Sequence, residues 1–384
     1  MDRHDGNQAM DVLAAHLSRL NTGIKKLQEL NIDTTLSSLP KYAVVGDQSA
    51  GKSSIVQALC GIALPRSSGT TTRCPFLITT HKDSLSTGAW RCRISIKRQD
   101  YHDVKLEEKC DTSKSHITHF ATISDPKKLE DTLKRAQLAI LNPGDDPKDY
   151  VNIDLSENPT TTALFSKNII CLDLRAPNLP ELMFYDLPGC INVYDMPKSG
   201  NRDTSKQQDE ERRLIEMITS TVTSYIQDDQ CLLLLACSAD QDVEMSLTMK
   251  YIRQHSAENR CIGVFTKADL VTSTRLKNVQ DVLKGHKYQL GRGWFVTKQL
   301  SQQEIDAGVD FGNAKDRERD LFATAPWAAT PSLRDRYGMP NLQDEIAGSL
   351  ASHIVSESVQ LPFHTFLMTI LTFACQASQH VPAH

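Results

Sequence analysis

The chain has 384 residues, 40% of them apolar, with 43 Lys and Arg set against 47 Asp and Glu for a formal net charge of −4. That balance offers no general attraction to a polyanion, so nucleic acid is not an expected partner, and the length supports one large core or two smaller ones without staples. The ten cysteines contain no C-x-x-C pair, the first residues contain no secretory apolar stretch, and no apolar run reaches the ~18 residues of a membrane span, which together predict a reducing, cytoplasmic setting.

Near the start, Met10, Leu13, Leu17, Leu20, Ile24 and Leu27 recur at alternating spacings of three and four, the stripe of an amphipathic helix. Residues 1–36 are therefore expected to form a bundle helix packed within the protein, the alternative being an intermolecular coiled coil. A partner is expected in 331–384, where Asn341 is placed to cap a helix carrying Leu342, Ile346, Leu350 and Ile354.

The apolar run 42–45 leads into Gly46-Asp47-Gln48-Ser49-Ala50-Gly51-Lys52-Ser53-Ser54 and on to Ile55-Val56-Gln57-Ala58-Leu59. Strand, glycine loop and helix thus come in the order a phosphate-binding loop requires, and binding of a nucleoside triphosphate is expected. Successive backbone N–H groups would face the phosphates, Lys52 would reach the β and γ oxygens, and the Ser53 hydroxyl would ligate Mg²⁺. Gly46 and Gly51 stand where a Cβ would block the turn or the close approach of the backbone.

Beyond the loop, strands are expected at 76–80, 92–96, 169–174, 182–185, 232–236 and 262–265, alternating with helical stretches, the habit of an α/β protein with a mostly parallel central sheet covered on both faces. Residues 99–158 are polar and lack a strand period, so they read as a largely helical insertion with one helix around Leu129, Leu133, Ala136 and Ile140. His116 and His119 are spaced for one helix face but lack a third ligand, which makes them surface side chains. The strand at 182–185 ends in Asp186-Leu187-Pro188-Gly189, where Asp186 could hold Mg²⁺ and the Gly189 N–H could sense the γ-phosphate. The strand at 262–265 ends in Thr266-Lys267-Ala268-Asp269. An Asp there can accept the N1–H and 2-amino hydrogens that guanine offers and adenine lacks, Lys267 would lie along the base, and Lys298 in Val296-Thr297-Lys298-Gln299 could close its other side.

These segments, with the loop Leu64-Pro65-Arg66-Ser67-Ser68-Gly69-Thr70-Thr71-Thr72-Arg73-Cys74-Pro75, resemble the dynamin superfamily of large GTPases, in wording nearest its Mx and fungal dynamin-like branch, over residues 8–360. The resemblance implies a P-loop GTPase domain at 37–330, hydrolysis of GTP to GDP and phosphate with Mg²⁺, and nucleotide contacts at Asp47, Gln48, Ser49, Ala50, Gly51, Lys52, Ser53, Ser54, Arg66, Ser67, Gly69, Asp186, Thr266, Lys267, Asp269 and Lys298. Because Cys190 stands where small GTPases carry their water-orienting glutamine, the resemblance gives that role to Gln48. It makes Thr72 a Mg²⁺ ligand beside Ser53 and Asp186, and puts a Na⁺ or K⁺ ion near Ser49, Ser67 and Gly69. It also implies nucleotide-dependent pairing of two GTPase domains, recruitment to organelle membranes for remodelling or fission, and association with microtubules. Family members continue into a long stalk, whereas this sequence stops at His384; it is either a truncated piece or a stalkless form. A nucleotide-gated interaction module without turnover is the competing reading, and a P-loop ATPase fails unless Asp269 does not read the base.

Overall fold

Strand β1 (Lys41–Gly46) is buried along almost its whole length, as are β7 (Cys231–Ser238) and β8 (Cys261–Thr266). Near-continuous apolar runs suit a strand covered on both faces, and the three lie side by side in parallel register. The structure is a computed structural model and describes residues 41–62, 64–65, 72–82, 90–98, 117–157, 159–176, 179, 182–191, 204–301, 303–304, 309 and 311–360.

With β2 (Phe76–Lys82), β3 (Arg91–Lys97), β4 (Ile117–Ile123), β5 (Ile169–Ala176), β6 (Leu182–Asp186) and β9 (Trp294–Val296), the described strands form one sheet in the order β4-β3-β5-β2-β6-β1-β7-β8-β9. Strands β6, β1, β7, β8 and β9 run parallel; β2 and β5 run against them, parallel to each other. This is the mostly parallel sheet expected from the alternating pattern, and the drawn strands all lie within observed ones. Because β1, β6, β8 and β9 share one direction, the glycine loop, D-L-P-G, T-K-A-D and residues 297–300 all emerge at the same carboxyl edge, where open α/β sheets bind ligands.

The α-helices among the described residues are α1 (Lys52–Cys60), α2 (Leu129–Leu141), α3 (Thr204–Gln227), α4 (Leu247–Gln254), α5 (Ser273–Leu283), α6 (Phe311–Ala323) and α7 (Gly338–Gln360). Helix α1 lies against β1 and β6. A core cluster joins Ala43, Val45, Leu233, Leu235 and Phe265 of the sheet to Ile218, Val222 and Ile226 of α3, Met249 and Ile252 of α4, and Val279 and Val282 of α5. Leu333 and Tyr337 belong to the same cluster, and residues 41–342 form one compact unit. The remainder of α7 falls in a second unit.

Three sequence expectations need correction or fall outside. The 99–158 insertion is not wholly helical: it supplies edge strand β4, where β-branched Ile117, Thr118, Thr122 and Ile123 pair with β3 and place His119 in a strand, its Nε2 2.9 Å from Thr122 Oγ1. Its helix at 129–141 is present. Asn341 is not a cap, because α7 already begins at Gly338; its Nδ2 donates instead to the carbonyls of Tyr337 (2.7 Å) and Arg334 (2.9 Å). The helix at 10–27 and His116 lie outside the described residues.

Candidate functional site

The loop after β1 is shaped by contacts on its outer side. A Cβ on Gly46 would lie 2.5 Å from the Ala236 carbonyl oxygen, and one on Gly51, whose φ is 86°, would lie 2.9 Å from Thr266 Oγ1. Both glycines are therefore required by close approach, as the spacing suggested. Three side chains then brace the loop. Thr266 Oγ1 donates to the Ala50 carbonyl (2.8 Å) and Lys267 Nζ to the Ser49 carbonyl (2.9 Å), so the T-K-A-D segment is fastened to the phosphate loop. Asp47 turns its carboxylate away, to the N-terminus of α4, where it accepts from Leu247 N (3.1 Å), Thr248 N (3.0 Å) and Thr248 Oγ1 (2.7 Å). A carboxylate suits the positive end of a helix, so this side chain fixes the loop.

Inside the loop, Lys52 is buried and its ammonium donates to the Asp47 carbonyl at 2.9 Å. The N-cap of α1 is Gly51, which offers no capping side chain, so the N–H groups of Lys52, Ser53 and Ser54 are the donors an anion would take. Beside them, Ser53 Oγ donates to Asp186 Oδ2 (2.7 Å) and lies 3.3 Å from Thr72 Oγ1. Asp186 is 1% exposed, and its other oxygen, Oδ1, has no hydrogen-bond partner among the described residues. Burial pushes its carboxyl up to about 6, against the Ser53 hydrogen bond and the Lys52 charge. Burial likewise lowers the Lys52 pKa, opposed by Asp186, Cys190 and Asp47. A buried carboxylate oxygen without a partner, beside two hydroxyls, is the hard all-oxygen donor set that Mg²⁺ takes. The three residues expected as metal ligands, Ser53, Thr72 and Asp186, are thus brought together from three separate segments.

The D-L-P-G segment is joined to the phosphate loop through the backbone. Gln48 N donates to the Cys190 carbonyl (2.9 Å) and Cys190 N to the Gly46 carbonyl (3.2 Å). Gly189 has no room for a side chain: a Cβ there would stand 2.7 Å from Gln48 Cα and 2.8 Å from Lys52 Nζ. The Cys190 side chain is buried at 2% exposure within the core cluster, and burial raises its thiol to about 11.

On the other side, Lys267 adopts a left-handed turn (φ 55°) and sets the short 3-10 segment Ala268–Leu270, with Asp269 exposed. Lys298 is held by two carboxylates. Its ammonium pairs with Glu304 (3.1 Å) and its N–H donates to Glu318 Oε1 (2.9 Å). Glu304 also caps locally, accepting from Ser301 N (2.8 Å) while its own N–H bonds Ser301 Oγ (3.3 Å). Burial pushes its carboxyl up, but Ser301, Arg317 and Lys298 outweigh that and hold it at about 2. The S-x-x-E spacing was a readable signal for this capping box. Glu318 and Thr248 had none, since each acts on a segment distant in sequence. Arg66, Ser67 and Gly69 lie outside the described residues.

Comparison with known proteins places this site in context. A model of the dynamin family matches residues 43–268, and one of the dynamin central region matches 278–361. The chain is 30% identical over 334 residues to the interferon-induced GTP-binding protein Mx1 of Canis lupus familiaris, covering 86% of this chain and 43% of that protein. It is 29% identical over 335 residues to Mx2 of Mus musculus (86% and 43%) and 28% identical over 332 residues to Mx2 of Homo sapiens (86% and 39%). The chain therefore spans less than half the length of these relatives.

Proposed function

The chain belongs to the dynamin family, and from that premise we propose that it binds GTP and, with Mg²⁺, hydrolyses it to GDP and phosphate. The observation that carries this reading is the convergence of Ser53, Thr72 and the unpartnered Asp186 oxygen beside Lys52. Lys52 and the N–H groups opening α1 hold the β- and γ-phosphates and stabilise the charge that shifts onto the bridging oxygen. Bound through Ser53, Thr72 and Asp186, Mg²⁺ would supply Lewis-acid neutralisation of the same oxygens. Gln48 positions the attacking water, a role for which the buried Cys190 side chain is unsuited. The Gly189 N–H meets the γ-phosphate, and its loss is registered by a loop bonded to the phosphate loop. Asp269 reads guanine, held in register by the Lys267 and Thr266 braces.

The same proposal extends to assembly and cofactors. A Na⁺ or K⁺ ion is assigned to Ser49, which is exposed with φ 61° and whose carbonyl Lys267 already occupies, so the hydroxyl is what its side chain offers. Two copies pair across their nucleotide faces, and recruitment from the cytoplasm to organelle membranes or microtubules, with membrane remodelling, is the outermost layer, supported by family membership alone. Phosphate release from GTP and ATP by the purified chain is the first test. GTP turnover abolished by Lys52→Ala, with GTP affinity falling about tenfold or more in Asp269→Asn, is expected. GTP binding without turnover would make the chain a nucleotide-gated interaction module, and equal use of ATP would overturn the assignment of Asp269. Co-sedimentation with liposomes or microtubules tests the outermost layer, and loss to the supernatant in every nucleotide state would remove it.

A further inference from the structure

A second cavity, of about 430 Å³, opens on the sheet face beside α3, lined by Lys41, Lys97, Lys167, Tyr185, Tyr225 and Asp228 among others. Its charges do not cancel. Lys41 pairs with Asp228 at 2.7 Å and also lies over the Tyr185 ring, 5.7 Å from its centroid. Lys97 and Lys167 form no ion pair among the described residues, and Asp228 is the one carboxylate on the lining. Two positive charges are thus left over in a space too large for a bare ion.

The neutral groups reinforce this. Tyr185 and Tyr225 pack at a tilt, with ring centroids 4.7 Å apart and planes inclined by 51°, and neither hydroxyl has a hydrogen-bond partner among the described residues. Burial raises Tyr185 to about 12 and Tyr225 further still, so both remain O–H donors at any physiological pH. The thiol of Cys171, close to Lys97, is raised by burial to about 11 and adds no negative charge. The α3 hydroxyls on the rim already donate within the helix, Thr221 to the Met217 carbonyl and Ser224 to the Thr221 carbonyl. What remains on the lining for a ligand is two ammonium groups and two phenolic donors carried on inclined rings.

We propose that this cavity is a binding site for a phosphomonoester of a polyol. The dianionic phosphate would take Lys97 and Lys167, and the polyol would fill the remaining volume against the tyrosines, whose O–H groups meet its oxygens. The chemistry is shared by a soluble sugar or inositol phosphate and by the headgroup of a phosphorylated inositol lipid. Because Tyr185 precedes Asp186 and Pro75 lies three residues from Thr72, an occupant would touch the chain next to two residues of the phosphate site.

The test is calorimetric titration of the whole chain, its nucleotide site filled with GDP and Mg²⁺, using inositol monophosphate, unphosphorylated inositol and inorganic phosphate as separate probes. Inositol monophosphate should bind, inositol should not, and inorganic phosphate should bind more weakly. Lys97→Met with Lys167→Met should weaken inositol monophosphate about tenfold or more, with thermal stability and GDP affinity unchanged, since both side chains are partly exposed and form no ion pair among the described residues. Pelleting with phosphatidylcholine vesicles that contain phosphatidylinositol phosphate, lost in the double variant, would identify the lipid source; binding of the soluble probe alone would identify the free ester. No binding of either, or binding indifferent to the double substitution, overturns the proposal.

Discussion

Replacing Asp47 by Ala separates two roles for one residue in the phosphate loop. If its carboxylate serves the nucleotide, the substitution should leave the nucleotide-free protein as stable as before. The structure gives the other answer: three donors, two N–H groups at the N-terminus of α4 and the Thr248 hydroxyl, end on this carboxylate at 2.7 to 3.1 Å. A hydrogen bond to a charged group contributes about 1.5–3 kcal/mol and an N-terminal cap about 1 kcal/mol, and water can reach part of this half-buried site, so the loss should be about 3 kcal/mol. In a unit this large, each kcal/mol moves the melting temperature by about 2 °C, so Asp47→Ala should melt about 6 °C lower without nucleotide. Thr248→Val removes one donor and should cost about 1 kcal/mol, and the pair should fall short of additivity by a similar amount. Urea unfolding of the four proteins in a double-mutant cycle is the assay. An unchanged midpoint in Asp47→Ala, or full additivity with Thr248→Val, would refute the brace.

Gly189→Ala should lower GTP affinity about tenfold or more and destabilise the free protein by about 1–3 kcal/mol, since the new methyl meets the Gln48 backbone at 2.7 Å; binding by fluorescent nucleotide titration at the original affinity would contradict the packing. Gln48→Ala should reduce kcat about 10²-fold with GTP affinity nearly unchanged, and exchange of K⁺ and Na⁺ for a bulky organic cation should act in the same direction; retained turnover in both would place the chemistry on another residue. Because burial raises the Asp186 carboxyl to about 6, it holds a proton below that pH and must release it to bind a cation. Mg²⁺ affinity, corrected for Mg²⁺ binding by free nucleotide, should therefore fall about tenfold per pH unit below about 6 and be flat above it; a flat profile throughout would exclude Asp186 as a ligand. Light scattering should find monomers without nucleotide and dimers with GDP plus a transition-state mimic, and filaments without nucleotide would contradict pairing through the nucleotide faces.

The central strands were legible because their composition permits one environment: Leu232-Leu233-Leu234-Leu235 cannot lie at a surface, and the loops carrying the motifs had to leave the same edge once β1, β6 and β8 were parallel. Edge strand β4 was not, since Thr118, His119 and Thr122 carry no apolar period and the segment becomes a strand only through pairing with β3. Asn341 looked like a cap because local signals favour it. The donor at that turn, Met339 N–H, is instead taken by Glu318 of α6 at 2.8 Å. Asp47 was legible as a loop residue and illegible as a brace, because its partner Thr248 lies 201 residues away. Lys298 is legible as a residue at the base end of the site, whereas its pairing with Glu304 is not.

The backbone pairing of Cys190 with Gly46 and Gln48 also constrains the history open to this site. Position 190 contributes its main chain to the join and its side chain to the interior, in the cluster with Leu187, Ile218 and Val222. A glutamine there would have to bury an amide where a thiol now fits, costing about 1–3 kcal/mol even before its extra volume is accommodated. The arrangement small GTPases use is therefore not one substitution away. On the proposed hydrolytic role, the group that orients the attacking water has to stand on the phosphate-loop side of the pocket, where Gln48 is, while position 190 serves the join and the interior.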